Sequence, residues 1–310
     1  MKCVKCGAEL FDGDMFCGSC GAKVEVTKQK EEQEYELLKL PLEELEKLEA
    51  KDHDPKVQFA LFYYYWAVDF DRDNGYIWAS KCAEQNHPDG ITALGFCHVF
   101  GAGGCEQNVE KAHELIEKGL AMGSTYAIFM VGDCSENGIV GYKKDPEKQF
   151  ENMLKAAEKG YPEAMENVAK LFEEKDDPQN AIKWFKKAAE FNMADSILQL
   201  GIYYYLGNDI EKDYDKSFEL FTKAYELDEY LDNINYWLGI SYRFGEGVEK
   251  NPLKAIEHFE EDGSKYAFDD LGQMYYYGEG VEKDMEKARE YLTKAANAGV
   301  DSAKELLAKI

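Results

Sequence analysis

Apolar residues recur three and four positions apart along most of the chain, the spacing of one helix face. In "FDDLGQMYY" they fall at Phe268, Leu271 and Tyr275. The same phrase returns as "LGISYRFGEGVEKNPLKA" from Leu238, and more loosely as "LGIYYYLGN" from Leu200 and "LGFCHVFGAGG" from Leu94. Each predicts helix rather than strand. The paired glycines of "YGEGVEKDMEKA", Gly278 and Gly280, stand before a second helix, as a phosphate-cradling loop would. Such a loop needs a preceding strand and a longer glycine pattern, and neither is present. The glycines are therefore expected to be structural punctuation.

Aligning the copies on the small residue of "LG" gives anchors at Ala60, Gly95, Gly132, Ala169, Gly201, Gly239 and Gly272, spaced 35, 37, 37, 32, 38 and 33 residues apart. In five copies a second glycine follows six residues later: Gly101, Gly138, Gly207, Gly245 and Gly278. Further on comes a lysine before two small residues, as at Lys155, Lys187 and Lys294. One unit thus reads as helix A with a small anchor that lets a neighbouring helix approach, a glycine stop, a turn, and helix B with an Ala-Ala contact. A glycine such as Gly160 or Gly299 often ends helix B. One hairpin cannot bury both its faces, whereas a row of them can.

"LGQMYYYGEGVEKDMEKAREYLTKAANAG" resembles a Sel-one-like repeat, a relative of the tetratricopeptide repeat. The resemblance covers residues 55–300, and the Ala169 unit, without its glycine stop, is similar to a plain tetratricopeptide hairpin. It implies an all-α fold, a right-handed αα-superhelical solenoid of about seven hairpins, that binds other proteins or peptides. The domains are then 1–25, a small N-terminal domain; 26–54, a charged linker and capping helix from Pro41; and 55–310, the solenoid. The last stretch, from Asp301, is a closing helix with a capping-box pattern at Ser302 and Glu305.

Eight cysteines change the picture at the N-terminus. Cys3-x-x-Cys6 and Cys17-x-x-Cys20 are each followed by glycine and are separated by an Asp12-Gly13 hairpin signal. Four thiolates suit one tetrahedral, structural zinc, and the stretch looks like the short zinc ribbons of bacterial proteins. A redox pair would show one motif in another fold, and disulfides would need an oxidising compartment. Cys82, Cys97, Cys105 and Cys134 occupy repeat packing positions and read as small hydrophobes.

The net charge of −25 opposes nucleic-acid binding. No apolar run reaches membrane-helix length and no signal-peptide core is seen, so a cytoplasmic protein is expected. His98 and His258 fall on packing positions, and His113 on a solvent-facing one. No nucleophile elbow, H-E-x-x-H or Ser-His-Asp order occurs, so the chain reads as non-catalytic. The candidate partner surface is the helix A stripe at −3, +1 and +4 from the anchor, above all Tyr64, Phe96, Ile202, Tyr205, Tyr236, Ile240, Arg243 and Tyr276. The stripe could instead pack on helix B or the next repeat, and its acidic middle, from Asp133 to Glu173, could be a solvated stretch. The function expected is a protein-interaction scaffold. The alternative is a nucleic-acid-associated regulator whose ribbon touches nucleic acid while the solenoid touches protein.

Overall fold

The computed structural model describes residues 35–310, and among these the regular structure is helical throughout. Helix α1 (Leu42–Asp52) leads into a series of hairpins. These are α2 (Pro55–Tyr63) with α3 (Arg72–Glu84), α4 (Pro88–Phe100) with α5 (Val109–Ala121), and α6 (Thr125–Asn137) with α7 (Pro146–Glu158). Next come α8 (Pro162–Glu174) with α9 (Pro178–Ala189), and α10 (Ala194–Leu206) with α11 (Tyr214–Leu227). Then follow α12 (Ile234–Phe244) with α13 (Pro252–Asp262), and α14 (Lys265–Tyr277) with α15 (Met285–Asn297), before a closing helix α16 (Asp301–Leu307). The described residues form two compact units, divided between Ala127 and Ile128.

Each hairpin is built on the anchor. A Cβ at Gly201, Gly239 or Gly272 would lie 2.5–2.6 Å from Phe221, Phe259 or Leu292, so the side chain of helix B occupies the space glycine leaves. Ala156, Ala188 and Ala295 on the B helices are fully buried, as the lysine-small-small pattern predicts. The residue three after the anchor then stacks on helix B: Tyr242 on His258 at 5.6 Å, and Tyr275 on Tyr291 at 5.9 Å.

Both loop glycines have a reason. Gly278 takes φ +72° and its N–H bonds the Met274 carbonyl, a left-handed helix stop. Gly280 also has positive φ, and a Cβ there would meet Pro252 at the start of the preceding B helix at 2.1 Å. Gly247 stands in the same relation to the Tyr214 carbonyl. The glycines are thus a stop and a close-approach point.

Every B helix begins on an Asx N-cap: Asp71, Asn108, Asp145, Asp177, Asp213, Asn251 and Asp284 each accept a bond from a first-turn N–H. In most copies the cap's own N–H returns to helix A, as Asp284 does to the Tyr275 carbonyl at 3.0 Å. These bonds close the turn at both ends and fix the hairpin angle.

The ends bring one correction. The closing helix exists, but its N-cap is Val300, without a side-chain cap bond. Ser302 donates to Asp269 at 2.7 Å instead of capping. A nearby carboxylate on α14 competes successfully for its hydroxyl. At the other end α1 packs Leu45 against Val57, Ala60 and Leu61. Within the charged stretch before it, Tyr35 is almost fully buried; its hydroxyl donates to Asp89 at 3.0 Å. Asp89 also accepts from the Ser124 hydroxyl and the Tyr126 N–H, so this buried carboxylate is satisfied by neutral donors.

Candidate protein-interaction surface

The predicted stripe divides between side chains used inside the fold and side chains left partly open. Tyr205 on α10 donates its hydroxyl to Glu246, in the loop after α12, and sets its ring against Trp237 and Tyr214, both at 5.2 Å. One hairpin on, Arg243 does the equivalent with charge. It is 5% exposed, pairs with Asp270 on α14 and holds Glu279 in the next Gly-Glu-Gly loop at 2.9 Å. The glutamate of each such loop thus receives the +4 side chain of the hairpin before it. Ile240 is also buried, beside Ala255 and Phe259.

Tyr236 is half-buried between Phe259 and Tyr266 and its hydroxyl bonds Asp270. Burial pushes the Asp270 carboxyl up to about 6, with Asp269 adding to the rise, although Arg243 and Tyr236 pull the other way. Ile202 is half-buried against the cluster around Phe221. Tyr276 is half-buried against Tyr277 under the Lys283 ammonium. In the unit that ends at Ala127, Tyr64 lies against Tyr65, and Phe96 sits between Trp66 at 4.8 Å and Phe100 at 5.1 Å.

The acidic middle of the stripe is partly structural. From α8 to α10, Glu166 accepts from Ser196 at 2.8 Å, Lys170 pairs with Asp195 at 2.8 Å, and Glu173 accepts from Tyr203 at 2.7 Å. This is a polar seam between successive A helices. Asp133 is pushed up by burial and by Glu136.

Apart from Tyr266 at the start of α14, 54% exposed, the most open apolar side chains on the A helices lie one residue beyond the predicted stripe. Phe100, Leu206, Phe244 and Tyr277 are 49%, 44%, 50% and 65% exposed. All four immediately precede the glycine stop. That position, occupied by a large apolar residue just where a solvated helix end needs none, was the available sequence signal.

Cys82, Cys97 and Cys134 are buried, as packing residues should be. Burial holds the thiols of Cys97 and Cys134 up to about 12, far from the range of reactive thiolates. Cys105 is half-buried and donates weakly to the Cys97 carbonyl at 3.5 Å. His258 bonds Asn235 at 2.8 Å, and burial lowers its basicity. His98 bonds the Glu106 carbonyl at 3.0 Å. His113 is half-buried rather than solvent-facing. Among the described residues no cluster could hold a metal ion, and no helix is long and apolar enough to cross a membrane. Cys3, Cys6, Cys17 and Cys20 lie outside the described residues.

Two family models match the chain. The family described as Sel1 repeat matches residues 88–124, 125–161, 162–190, 194–229, 235–261 and 270–300. The zinc-ribbon domain family matches residues 2–24. An uncharacterized protein of Neisseria meningitidis serogroup B is 28% identical over 226 residues, 72% of this chain and 46% of that protein. Chitin synthase regulatory factor 3 of Schizosaccharomyces pombe is 28% identical over 106 residues, 31% of this chain and 11% of its own length. The chain therefore spans less than half of these curated relatives. Among solved structures, c5321, a protective antigen of uropathogenic Escherichia coli with an SLR fold, superposes with a TM-score of 0.61 at 22% identity, covering 90% of this chain and 63% of that one. A Sel1 repeat protein from Oxalobacter formigenes superposes with a TM-score of 0.56 at 24% identity, covering 76% and 97%.

Proposed function

The chain belongs to the Sel1 repeat family, and from that premise we propose that it is a non-catalytic scaffold that binds other proteins or peptides along its A helices. The observation that carries the reading is the open apolar row Leu206, Phe244 and Tyr277 in residues 128–310; Phe100 holds the same repeat position in the other unit. Exposed apolar groups repeated at one place in a structural unit are what a docking surface requires and a solvated one does not. Ile202, Tyr205, Tyr236 and Tyr276 flank that row with half-buried surface, while Ile240 and Arg243 act from beneath by holding its shape; Tyr64 and Phe96 are half-buried in the unit that carries Phe100. The reading includes a cytoplasmic location.

The zinc-ribbon match supports one structural zinc held by Cys3, Cys6, Cys17 and Cys20. Such a metal would supply about 10 kcal/mol of folding energy to a small domain with little core. Elemental analysis of protein made without chelators should find one zinc per chain, and its absence would remove this part of the reading. The scaffold itself is tested by recovering bound proteins from the native cell. A purified partner is then titrated against wild type and Tyr276→Ala. A loss of about 1–2 kcal/mol of affinity supports the assignment; unchanged affinity counts against it.

A further inference from the structure

The first hairpin ends its A helix unlike the others. Six residues after the anchor, where five copies have glycine, stands Trp66. A tryptophan enters the left-handed region only at a steric cost. The helix instead widens into a π turn over Tyr64–Val68, in which the Asp69 N–H bonds the Tyr64 carbonyl at 3.1 Å. The left-handed position falls four residues later, on Phe70 at φ +55°.

A bulky residue in that region is strained, and such strain persists only where something maintains it. Packing within the described residues does not repay it, because Phe70 is 79% exposed and Val68 beside it 55%. Next to them lies an aromatic platform. Trp66, Phe96 and Phe100 are 4.8–5.9 Å apart, with the Arg72 guanidinium over Trp66 at 5.7 Å and over Phe100 at 5.6 Å. Carboxylates edge the loop. Burial raises the Tyr65 hydroxyl, and Glu46, Asp69 and Asp71 add to it through their charge; Asp73 follows in the first turn of α3. Arg72, the base in this stretch, is already committed to the ring faces.

We propose that the segment 64–73 is a docking knob for a protein segment that carries an apolar side chain flanked by lysine or arginine. The apolar group would lie against Phe70 and Phe100, and the flanking cations would meet Asp69, Asp71 and Glu46. The cost of holding Phe70 outward would then be recovered on binding. The proposal rests on the protein-binding reading and adds to it a loop-borne site and the chemistry of its occupant.

The test uses Phe70→Gly in the full chain. Glycine removes the side chain and relieves the strained φ together, so folding and binding should move in opposite directions. A library of random short peptides is selected on wild-type protein, and the enriched peptides are titrated against wild type, Phe70→Gly, Phe100→Ala and Tyr276→Ala. The proposal expects peptides with lysine or arginine beside an apolar residue. Phe70→Gly and Phe100→Ala should weaken them about tenfold or more, Tyr276→Ala should leave them unchanged, and added salt should weaken them. Phe70→Gly should melt no lower than wild type. Peptides without basic residues, or retained fully by Phe70→Gly, would overturn the proposal. Self-association abolished by Phe70→Gly would overturn it too, by making a second copy the occupant. Peptides weakened by Tyr276→Ala alone would sink the knob and leave the scaffold reading standing, whereas no binding peptide at all would count against both.

Discussion

The first and last hairpins solve one problem in two ways. Between α14 and α15, Gly278 stops the helix, Gly280 lets the loop abut Pro252, and Glu279 between them holds Arg243 of the preceding hairpin. Three consecutive residues thus end a helix, seat a loop and join two repeats. Between α2 and α3 none of these is available. The helix runs on into a π turn, an exposed phenylalanine takes the left-handed position, and Trp66 packs toward Gly75 on the facing helix. The difference shows what the Gly-Glu-Gly phrase is for: it replaces a strained left-handed residue with a tight, charged joint.

The joint should be costly to break. Arg243→Ala leaves Asp270 without its cation in a largely buried setting and leaves Glu279 only Lys250 at 3.6 Å; the expected loss is about 3–5 kcal/mol, read by urea unfolding. Gly280→Val combines a disfavoured φ with a clash against Pro252, and the expected cost is about 2–4 kcal/mol. A loss below about 0.5 kcal/mol for either would mean that the joint is ornamental.

The joint should also show in pH dependence. Asp270 is raised to about 6 in the folded protein, against about 3.9 for an unfolded aspartate. The folded state therefore binds more protons between those values, so this group favours folding at low pH. That contribution is lost as pH rises from about 4 to 6, by about 2–3 kcal/mol. Arg243→Ala should extend the loss to higher pH, because the cation that favours the charged carboxylate is gone. An unchanged profile in the variant would separate Asp270 from Arg243.

The smallest effect has the opposite sign. Phe70→Gly should stabilise the fold by about 0.5–1 kcal/mol, less the extra chain entropy of glycine. A loss of more than about 1 kcal/mol would show that Phe70 packs rather than protrudes.

Much of this was legible from the sequence. Anchors, glycine stops and Ala-Ala contacts are local and repeat, so their register fixes seven hairpins. The A helices were readable, but not the direction in which each faces its neighbour. Arg243 and Tyr205 looked like contact residues because tyrosine and arginine favour interfaces. The carboxylates that bind them, Glu279 and Glu246, lie 36 and 41 residues further along the chain. Ser302 was read as a cap for the same reason, its partner Asp269 being 33 residues back. The exposed row lies one residue past the predicted stripe, and that offset depends on how repeats pack, which a single helix pattern does not contain. The Asx caps of the B helices were in plain view, but loop lengths that differ between copies hid their register.

The central claim, that the A-helix ends form a protein-binding surface, is tested most directly by one paired measurement. Leu206→Ala, Phe244→Ala and Tyr277→Ala are combined in one variant. Its affinity for a purified partner and its melting temperature are measured in the same samples. The account predicts affinity reduced about tenfold or more, with a melting temperature within about 4 °C of wild type. Unchanged affinity in the folded variant would contradict it.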